Sequence, residues 1–152
     1  DENEDISSDA IISFCNEKGY EHIMVYGKIE GEIGKLNREE QEEFFKEIGV
    51  KGSVIDRFIN KCYSLLNLIS FFTVGEDEVR AWTIEQGSTA VEAAGKIHSD
   101  IAKGFIRAEV VGYDEFIKAG SFKTLKEKGK TRLEGKEYVV CDGEITHFRF
   151  NV

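Results

Sequence analysis

The stretch from Val79 to Val110 constrains the fold more than any other part of the sequence, because two strand patterns flank one helix pattern. Residues 79–84 alternate with the two-residue period of a strand, and residues 106–110 do the same. A short loop of Gln, Gly, Ser and Thr follows the first strand pattern. The order of these patterns predicts a small sheet with one helix lying across it.

The helix between these strands has a start signal and a stop signal. Thr89 and Glu92 have the spacing of a reciprocal N-terminal cap. Gly104 after Lys103 is typical of a helix end with a cation in its last turn. Apolar residues three or four positions apart form one stripe between these ends: Ala90, Ala94, Ile97 and Ile101. For His98, near the end of the helix, we expect a capping or surface role.

Further segments complete the predicted sheet. Residues 71–74 are expected to form a hairpin with the strand at 79–84. Residues 131–133 are expected to pair with residues 137–141. The Asp142-Gly143 turn signal would then return the chain through a last strand over 144–150.

About five strands around one main helix favour an α+β fold of the β-grasp, ubiquitin-like type. A short helix is expected over residues 113–119. Residues 121–132 are basic and have no clean period, so they predict a loop.

Charge is distributed unevenly along the 152 residues, which suit one domain or two small ones. The net charge of -9 argues against a wholly basic nucleic-acid-binding protein. Residues 118–136 nevertheless hold seven basic and two acidic side chains. Such a segment either binds phosphate or is a solvated loop.

The three cysteines, Cys15, Cys62 and Cys141, are widely spaced and lack metal-binding spacing, which favours reduced thiols and the cytoplasm. The three histidines show no metal-ligand spacing either, so no metal site is expected. The most apolar run, residues 65–74, is interrupted by polar residues and is too short to span a bilayer.

The first 66 residues read mainly as helices. Asn37 to Glu40 predicts the cap of one helix, with Phe44, Phe45 and Ile48 facing inward. Apolar residues recur from Ile55 to Ile69 at helical spacing, which predicts a well-packed helix. Residues His22–Tyr26 form an apolar run typical of a strand buried in a parallel sheet. Because no other strand is predicted nearby, its neighbours are expected in sequence outside this chain.

Several longer strings resemble one protein family. They are Leu65–Leu68, Phe72-Thr73, Glu78–Thr83, Ile97–Asp100, Lys103–Val110, Arg132–Lys136 and Asp142–Val152. In these strings the chain resembles the C-terminal part, including the TGS domain, of the YchF/Obg-like ATPase family. The resemblance implies that residues 67–152 are a β-grasp TGS domain. It also implies that residues 1–66 are the C-terminal end of a GTPase-like P-loop α/β domain with its connecting helices.

That family binds Mg-ATP at a P-loop, hydrolyses ATP in preference to GTP and associates with ribosomes. The pattern Gly-x-x-x-x-Gly-Lys-Ser/Thr does not occur in these 152 residues. We therefore expect the parent protein to be an ATPase and this chain alone neither to hydrolyse a nucleotide nor to bind one tightly. The resemblance also implies base-binding positions at Glu2 and at Tyr26, Gly27 and Lys28.

Basic residues of the second half are candidates for contact with the ribosome or its rRNA: Arg80, Arg107, Lys123, Lys126, Lys128, Lys130 and Arg132. Trp82, His147 and Arg149 could lie beside them on an open sheet face, where arginines next to aromatic rings suit RNA. The alternative is that Trp82 is core and the arginines pair with Glu78, Glu109 and Glu144.

Two functions remain open. One is a ribosome-associated ATPase fragment, and the other is a stand-alone β-grasp module that binds RNA or protein without catalysis. Neither DNA nor a membrane is expected as a partner, and the sequence leaves the oligomeric state open.

Overall fold

The computed structural model describes residues 8–47, 49–50, 52–75 and 77–151. The chain divides into two compact units, Asp1–Leu65 (unit 1) and Leu66–Val152 (unit 2). In the described residues unit 1 is helical, and unit 2 combines five strands with four helices.

Unit 1 contains four helices: α1 Ser8–Lys18, α2 Gly27–Ile33, α3 Arg38–Glu47 and α4 Val54–Leu65. Glu30 ties α2 to the start of α4, because its carboxylate accepts a hydrogen bond from the Val54 N–H at 2.8 Å and pairs with the Arg57 guanidinium. The predicted cap of α3 is confirmed, since the Asn37 side chain accepts from the Glu40 N–H at 3.1 Å. Ile48, predicted to face inward from α3, lies outside the described residues.

The strand predicted over His22–Tyr26 is wrong for the described chain, in which residues 20–26 have no regular secondary structure. The Met24 carbonyl accepts a hydrogen bond from Arg57 at 3.0 Å and does not join a sheet. Tyr26 precedes α2, and Gly27 and Lys28 open that helix. An apolar run indicates a buried strand only when neighbouring strands accept and donate its backbone hydrogen bonds.

The apolar stripe of α4 is not packed as predicted. No residue of α4 is buried, and Ile55, Phe58 and Ile59 are 65%, 58% and 48% exposed. Among the described residues of unit 1, the buried hydrophobic side chains are Ile33 and Phe45. The helical period was correctly predicted as far as Leu65, whereas Ile69 lies in a strand. A period shows only that a face is apolar and does not identify what covers it.

Unit 2 is built on a five-stranded mixed sheet, which confirms the predicted α+β class. Its strands are β1 Leu68–Val74, β2 Val79–Glu85, β3 Phe105–Val111, β4 Arg132–Glu134 and β5 Ile145–Phe150. They lie in the order β2-β1-β5-β3-β4, with β1 parallel to β5 and the other neighbours antiparallel. The β1–β2 hairpin is confirmed, with Phe71 opposite Trp82.

Helices lie on both faces of this sheet. They are α5 Ala90–Ile97, α6 Ser99–Lys103, α7 Tyr113–Ala119 and α8 Phe122–Glu127. The main core, between α5 and one face, includes Phe71, Ala94, Val110 and Phe148. A smaller core under α7 and α8 contains Val111, Phe116, Leu125 and Ile145. Both faces are covered by helices, the second only in part.

The predicted central helix is confirmed at its start and divided near its end. Thr89 and Glu92 form the reciprocal cap, in which the Glu92 carboxylate accepts from the Thr89 N–H at 2.7 Å. The helix breaks at His98, whose Nδ1 accepts from the Asp100 N–H at 3.2 Å and caps α6. The capping role expected for His98 is therefore confirmed.

Two sequence predictions for the last third of the chain are wrong. Part of the predicted loop at 121–132 is α8, which Ser121 caps by accepting from the Thr124 N–H at 3.2 Å. Neither predicted hairpin after residue 130 forms, because β4 pairs with β3, and β5 pairs with β3 and β1. These strands pair with strands distant in sequence and not with the neighbouring segments that the turn signals indicated.

Candidate nucleic-acid interface

The sheet face opposite α5 carries a cluster of charged residues beyond the part that α7 and α8 cover. The antiparallel register places Arg107 directly opposite Arg149, and Glu109 opposite His147. Side chains of directly opposed residues share one face, and so do residues two apart on a strand. Lys126 reaches the same face from α8. These five residues (Arg107, Glu109, Lys126, His147 and Arg149) are called the Glu109 cluster below.

Glu109 lies at the centre of this cluster and is fully buried. Its Oε2 atom lies 2.7 Å from Lys126 Nζ, and its Oε1 atom pairs with the Arg149 guanidinium. Burial raises the pKa of Glu109, but its contacts with Lys126 and Arg149 outweigh burial, so the pKa is lowered. Neither carboxylate oxygen of Glu109 has a hydrogen bond of good geometry. Electrostatic attraction, more than directed hydrogen bonding, therefore holds Glu109, Lys126 and Arg149 together.

The cluster has an excess of positive charge. One carboxylate balances only one of the two cations that contact it, and in the described part of the chain Arg107 has no carboxylate within ion-pair distance. Like charges placed directly opposite each other on a sheet destabilise it. Arg107 opposite Arg149 is therefore an arrangement that a bound anion would relieve.

The basic segment predicted at 118–136 has several different roles in the structure. Lys126 binds Glu109, and Lys130 lies 3.6 Å from Glu115. Lys123 and Lys128 are exposed and have no ion-pair partner among the described residues. These two lysines lie on and just after α8, the helix that supplies Lys126 to the cluster.

Arg80 and Arg132 lie apart from the Glu109 cluster. The Arg80 guanidinium carbon stacks over the Trp82 ring at 4.3 Å from its centroid, on the α5 face. Trp82 is half-buried against the main core and donates from Nε1 to Thr73 Oγ1 at 3.0 Å. The alternative interpretation thus describes Trp82 correctly, and the pairing of arginines with Glu109 and Glu144 that it predicted is also present, through Arg149 and Arg132. Arg80, however, stacks on Trp82, and its side chain has no ion pair with Glu78 in the described structure.

Arg132 belongs to a second polar network, organised by Glu144. The Glu144 carboxylate accepts from the Tyr138 hydroxyl at 2.8 Å and from the Cys141 N–H at 2.9 Å, and it pairs with Arg132. Burial and the bond to Glu144 raise the pKa of Tyr138, so the phenol stays protonated. The network fixes the segment before β5 and leaves Arg132 less available to a partner.

A cavity of about 520 Å³ lies beside the Glu109 cluster, and sequence reasoning did not identify it. Its walls come from the end of β1, from α7 and α8 and from β5: Val74, Gly75, Phe116, Gly120, Ser121, Phe122, Lys126 and His147. The available signal was two phenylalanines flanking a Gly-Ser pair next to the basic segment. Because residues 121–132 were predicted to form a loop, this signal did not lead to the prediction of a cavity wall.

The base-binding positions implied by the resemblance belong to unit 1, and one of them, Glu2, lies outside the described residues. Tyr26, Gly27 and Lys28 are exposed. Tyr26 lines an apolar cavity of about 330 Å³ together with Ile29, Glu30, Phe44, Phe45 and Val50. No group of His, Cys, Asp or Glu side chains among the described residues is arranged to hold a metal ion.

No helix in the described parts of the chain is long and apolar enough to cross a membrane.

The fold and surface define unit 2 as a small α+β module, one sheet face of which carries a cluster of three basic side chains around one buried carboxylate. Residues 68–151 match the family model described as YchF-GTPase_C, "Protein of unknown function (DUF933)". The chain belongs to this YchF family.

Relatives agree with this assignment. The chain is 54% identical over 132 residues to the ribosome-binding ATPase YchF of Bacillus subtilis, covering 87% of this chain and 36% of that protein. It is 44% identical over 144 residues to the protein of the same name from Escherichia coli O157:H7, covering 95% and 40%. The YchF GTPase structure of Schizosaccharomyces pombe superposes with a TM-score of 0.74 at 35% identity, covering 91% of this chain and 37% of that one. The chain thus spans well under half the length of these relatives.

Proposed function

We propose that this chain is the C-terminal part of a ribosome-associated P-loop ATPase and that unit 2 is its RNA-contacting module. The observation that carries the proposal is the opposed pair Arg107 and Arg149, part of a cluster with more cations than carboxylates. Relatives named ribosome-binding ATPases support the partner. Ribosomal RNA is the anion proposed, and the cytoplasm is the proposed location.

The strand order supports a β-grasp, TGS-type identity for residues 67–152. Three features support this identity: a first hairpin, a parallel pairing of the first strand with the last, and one main helix across the sheet. On this proposal the module offers to RNA the sheet face opposite its main helix.

Residues 1–66 are proposed to complete the nucleotide domain of the longer protein. The exposed apolar stripe of α4 supports this role, because an amphipathic helix with no buried residue lacks the packing that normally stabilises it. Mg-ATP would bind to the upstream P-loop, with Glu2, Tyr26, Gly27 and Lys28 near the base. Hydrolysis to ADP and phosphate would be coupled to ribosome contact.

Co-sedimentation with purified ribosomes tests the RNA contact. Each phosphate contact adds about 0.9 to the slope of log affinity against log salt, so Arg107→Gln should weaken binding and lower the slope by about 1. Lys123→Gln should act in the same direction. Arg80→Gln is the matched control, because Arg80 lies on the α5 face. Equal losses of ribosome affinity for Arg80→Gln and Arg107→Gln would contradict the assignment of RNA binding to the sheet face opposite α5.

Phosphate release tests the division of labour between this chain and the longer protein. The purified chain should release no phosphate from Mg-ATP, whereas the full-length gene product should do so. Phosphate release by the chain alone would contradict the proposed upstream P-loop. A full-length product with no P-loop, combined with ribosome binding by this chain, would favour the stand-alone binding module.

A further inference from the structure

The cavity beside the Glu109 cluster has the size and walls of a ligand site. Its volume of about 520 Å³ lies within the roughly 300–1,000 Å³ of pockets that bind small molecules. Phe116 and Phe122 pack edge to face with ring centroids 5.3 Å apart, and the Phe122 and His147 centroids are 6.0 Å apart. The wall therefore contains three adjoining rings inclined to one another, one of which can stack on a flat and largely apolar group.

Polar groups at the edge of this cavity favour a ligand that also carries negative charge. Lys126 lines the cavity and is held by Glu109, so its ammonium group has a fixed position. The Glu109 charge is buried and compensated, so it does not repel an anion at the surface. A neutral apolar ligand would pack against the aromatic rings but would make no favourable electrostatic contact with the cations.

The opposed arginines lie close to the cavity, Arg149 on the same strand as His147 and Arg107 on the neighbouring strand β3. His147 lines the cavity, and Arg149 is two residues further along β5 on the same face, which places them about 7 Å apart. Arg107 lies directly across from Arg149. A wall of three aromatic rings thus adjoins a pair of guanidinium groups within the reach of one nucleotide.

We propose that this cavity holds the base of one unpaired RNA nucleotide while Arg107 and Arg149 bind the adjoining phosphates. The inference rests on the proposed RNA contact and specifies its partner as single-stranded or looped RNA. A base inside a duplex is stacked and paired and cannot enter a pocket, whereas an unpaired base is free to stack on aromatic side chains.

The test compares fluorescently labelled single-stranded RNA of roughly ten nucleotides, within the site sizes of small single-strand-binding domains, with a duplex of the same sequence. The 152-residue chain is used throughout. Phe122→Leu keeps an apolar side chain and removes the ring, and His147→Ala removes the second ring. Phe150→Leu is the matched control, because Phe150 is 40% exposed and lies on the α5 side of the same strand. Thermal unfolding confirms that each variant is folded.

Each cavity variant should weaken single-strand binding by about tenfold, the effect of losing roughly one stacked base, and should leave duplex binding and the salt slope unchanged. Unchanged single-strand binding, or equal loss on single strand and duplex, would overturn the cavity assignment while the ribosome contact stands. Mononucleotides that bind as tightly as the oligonucleotide would overturn RNA as the source of the base. Failure of the wild-type chain to bind RNA or ribosomes would instead overturn the proposed function.

Discussion

Glu109 shows, at the scale of a single residue, how a buried acid can order a basic surface. Its carboxylate is fully buried, yet Lys126 and Arg149 reach it from α8 and β5 while remaining 44% and 50% exposed. A buried charge is tolerated when it is paired, so the acid fixes both cations in place. The outer sides of these cations remain available to another anion.

Replacing Glu109 by Gln should destabilise the chain by about 2 kcal/mol. Removing one partner of a buried ion pair costs about 3–5 kcal/mol, and the half-exposed cations reduce that figure through solvent screening. Urea unfolding measures the change. Glu115→Gln is the control, because the Glu115–Lys130 pair is half-exposed on both sides, and we expect a change of at most about 0.5 kcal/mol. Equal effects of the two substitutions would contradict the role of Glu109.

The stabilising effect of Glu109 should depend on pH. Because the folded-state pKa is lowered, the contribution is fully present above the unfolded value of about 4.3 and is lost as pH falls through the folded value. The difference in unfolding free energy between wild type and Glu109→Gln should therefore be constant near neutrality and shrink below about pH 4. Urea unfolding at several pH values measures it. A difference in unfolding free energy that grows on acidification would contradict the predicted sign of this pH dependence.

At the scale of elements, local signals predicted most strands of unit 2 but not how the last strands pair. The Thr89–Glu92 cap and the β1–β2 hairpin depend on neighbours in sequence, so their spacing was sufficient. Strands β4 and β5 pair with β3, which lies far from β5 in sequence, and no turn signal encodes such pairing. Ser121 with Thr124 was a usable cap signal for α8, but the charge of the segment obscured it.

Gly104, at the end of α6, has no room for a side chain. A Cβ at this position would lie 1.8 Å from the carbonyl oxygen of Asn151, at the point where the chain leaves α6 beside the end of β5. Gly104→Ala should therefore lower stability by more than about 2 kcal/mol, because backbone on both sides must move. Gly95→Ala in α5 is the control. The nearest atom to that Cβ is 3.5 Å away, so helix propensity should make the change neutral or stabilising. Thermal unfolding of both variants separates the two outcomes.

For the whole molecule, the sequence predicted which residues carry the charge but not which of them act together. Arg107, Arg80 and Arg132 looked equivalent along the chain, yet pairing register places them in different surroundings. The local signal around Phe116 and Phe122 was not sufficient to predict the cavity, because its walls come from segments as distant as Val74 and His147. Unit 1 shows the opposite limit, because the amphipathic period of α4 was correct but no residue of the helix is buried.

The apolar face of α4 provides the test of what this chain is part of. Phe58 is 58% exposed, so Phe58→Ala in the 152-residue chain should change the unfolding free energy by less than about 1 kcal/mol. Phe71 is fully buried in unit 2, and Phe71→Ala should cost about 3–5 kcal/mol in the same measurement. If α4 packs against the nucleotide domain, Phe58→Ala in the full-length gene product should cost as much as a core substitution, since the side chain is then buried. Chemical unfolding of both lengths measures this. A full-length protein insensitive to Phe58→Ala would show that the stripe has no such partner.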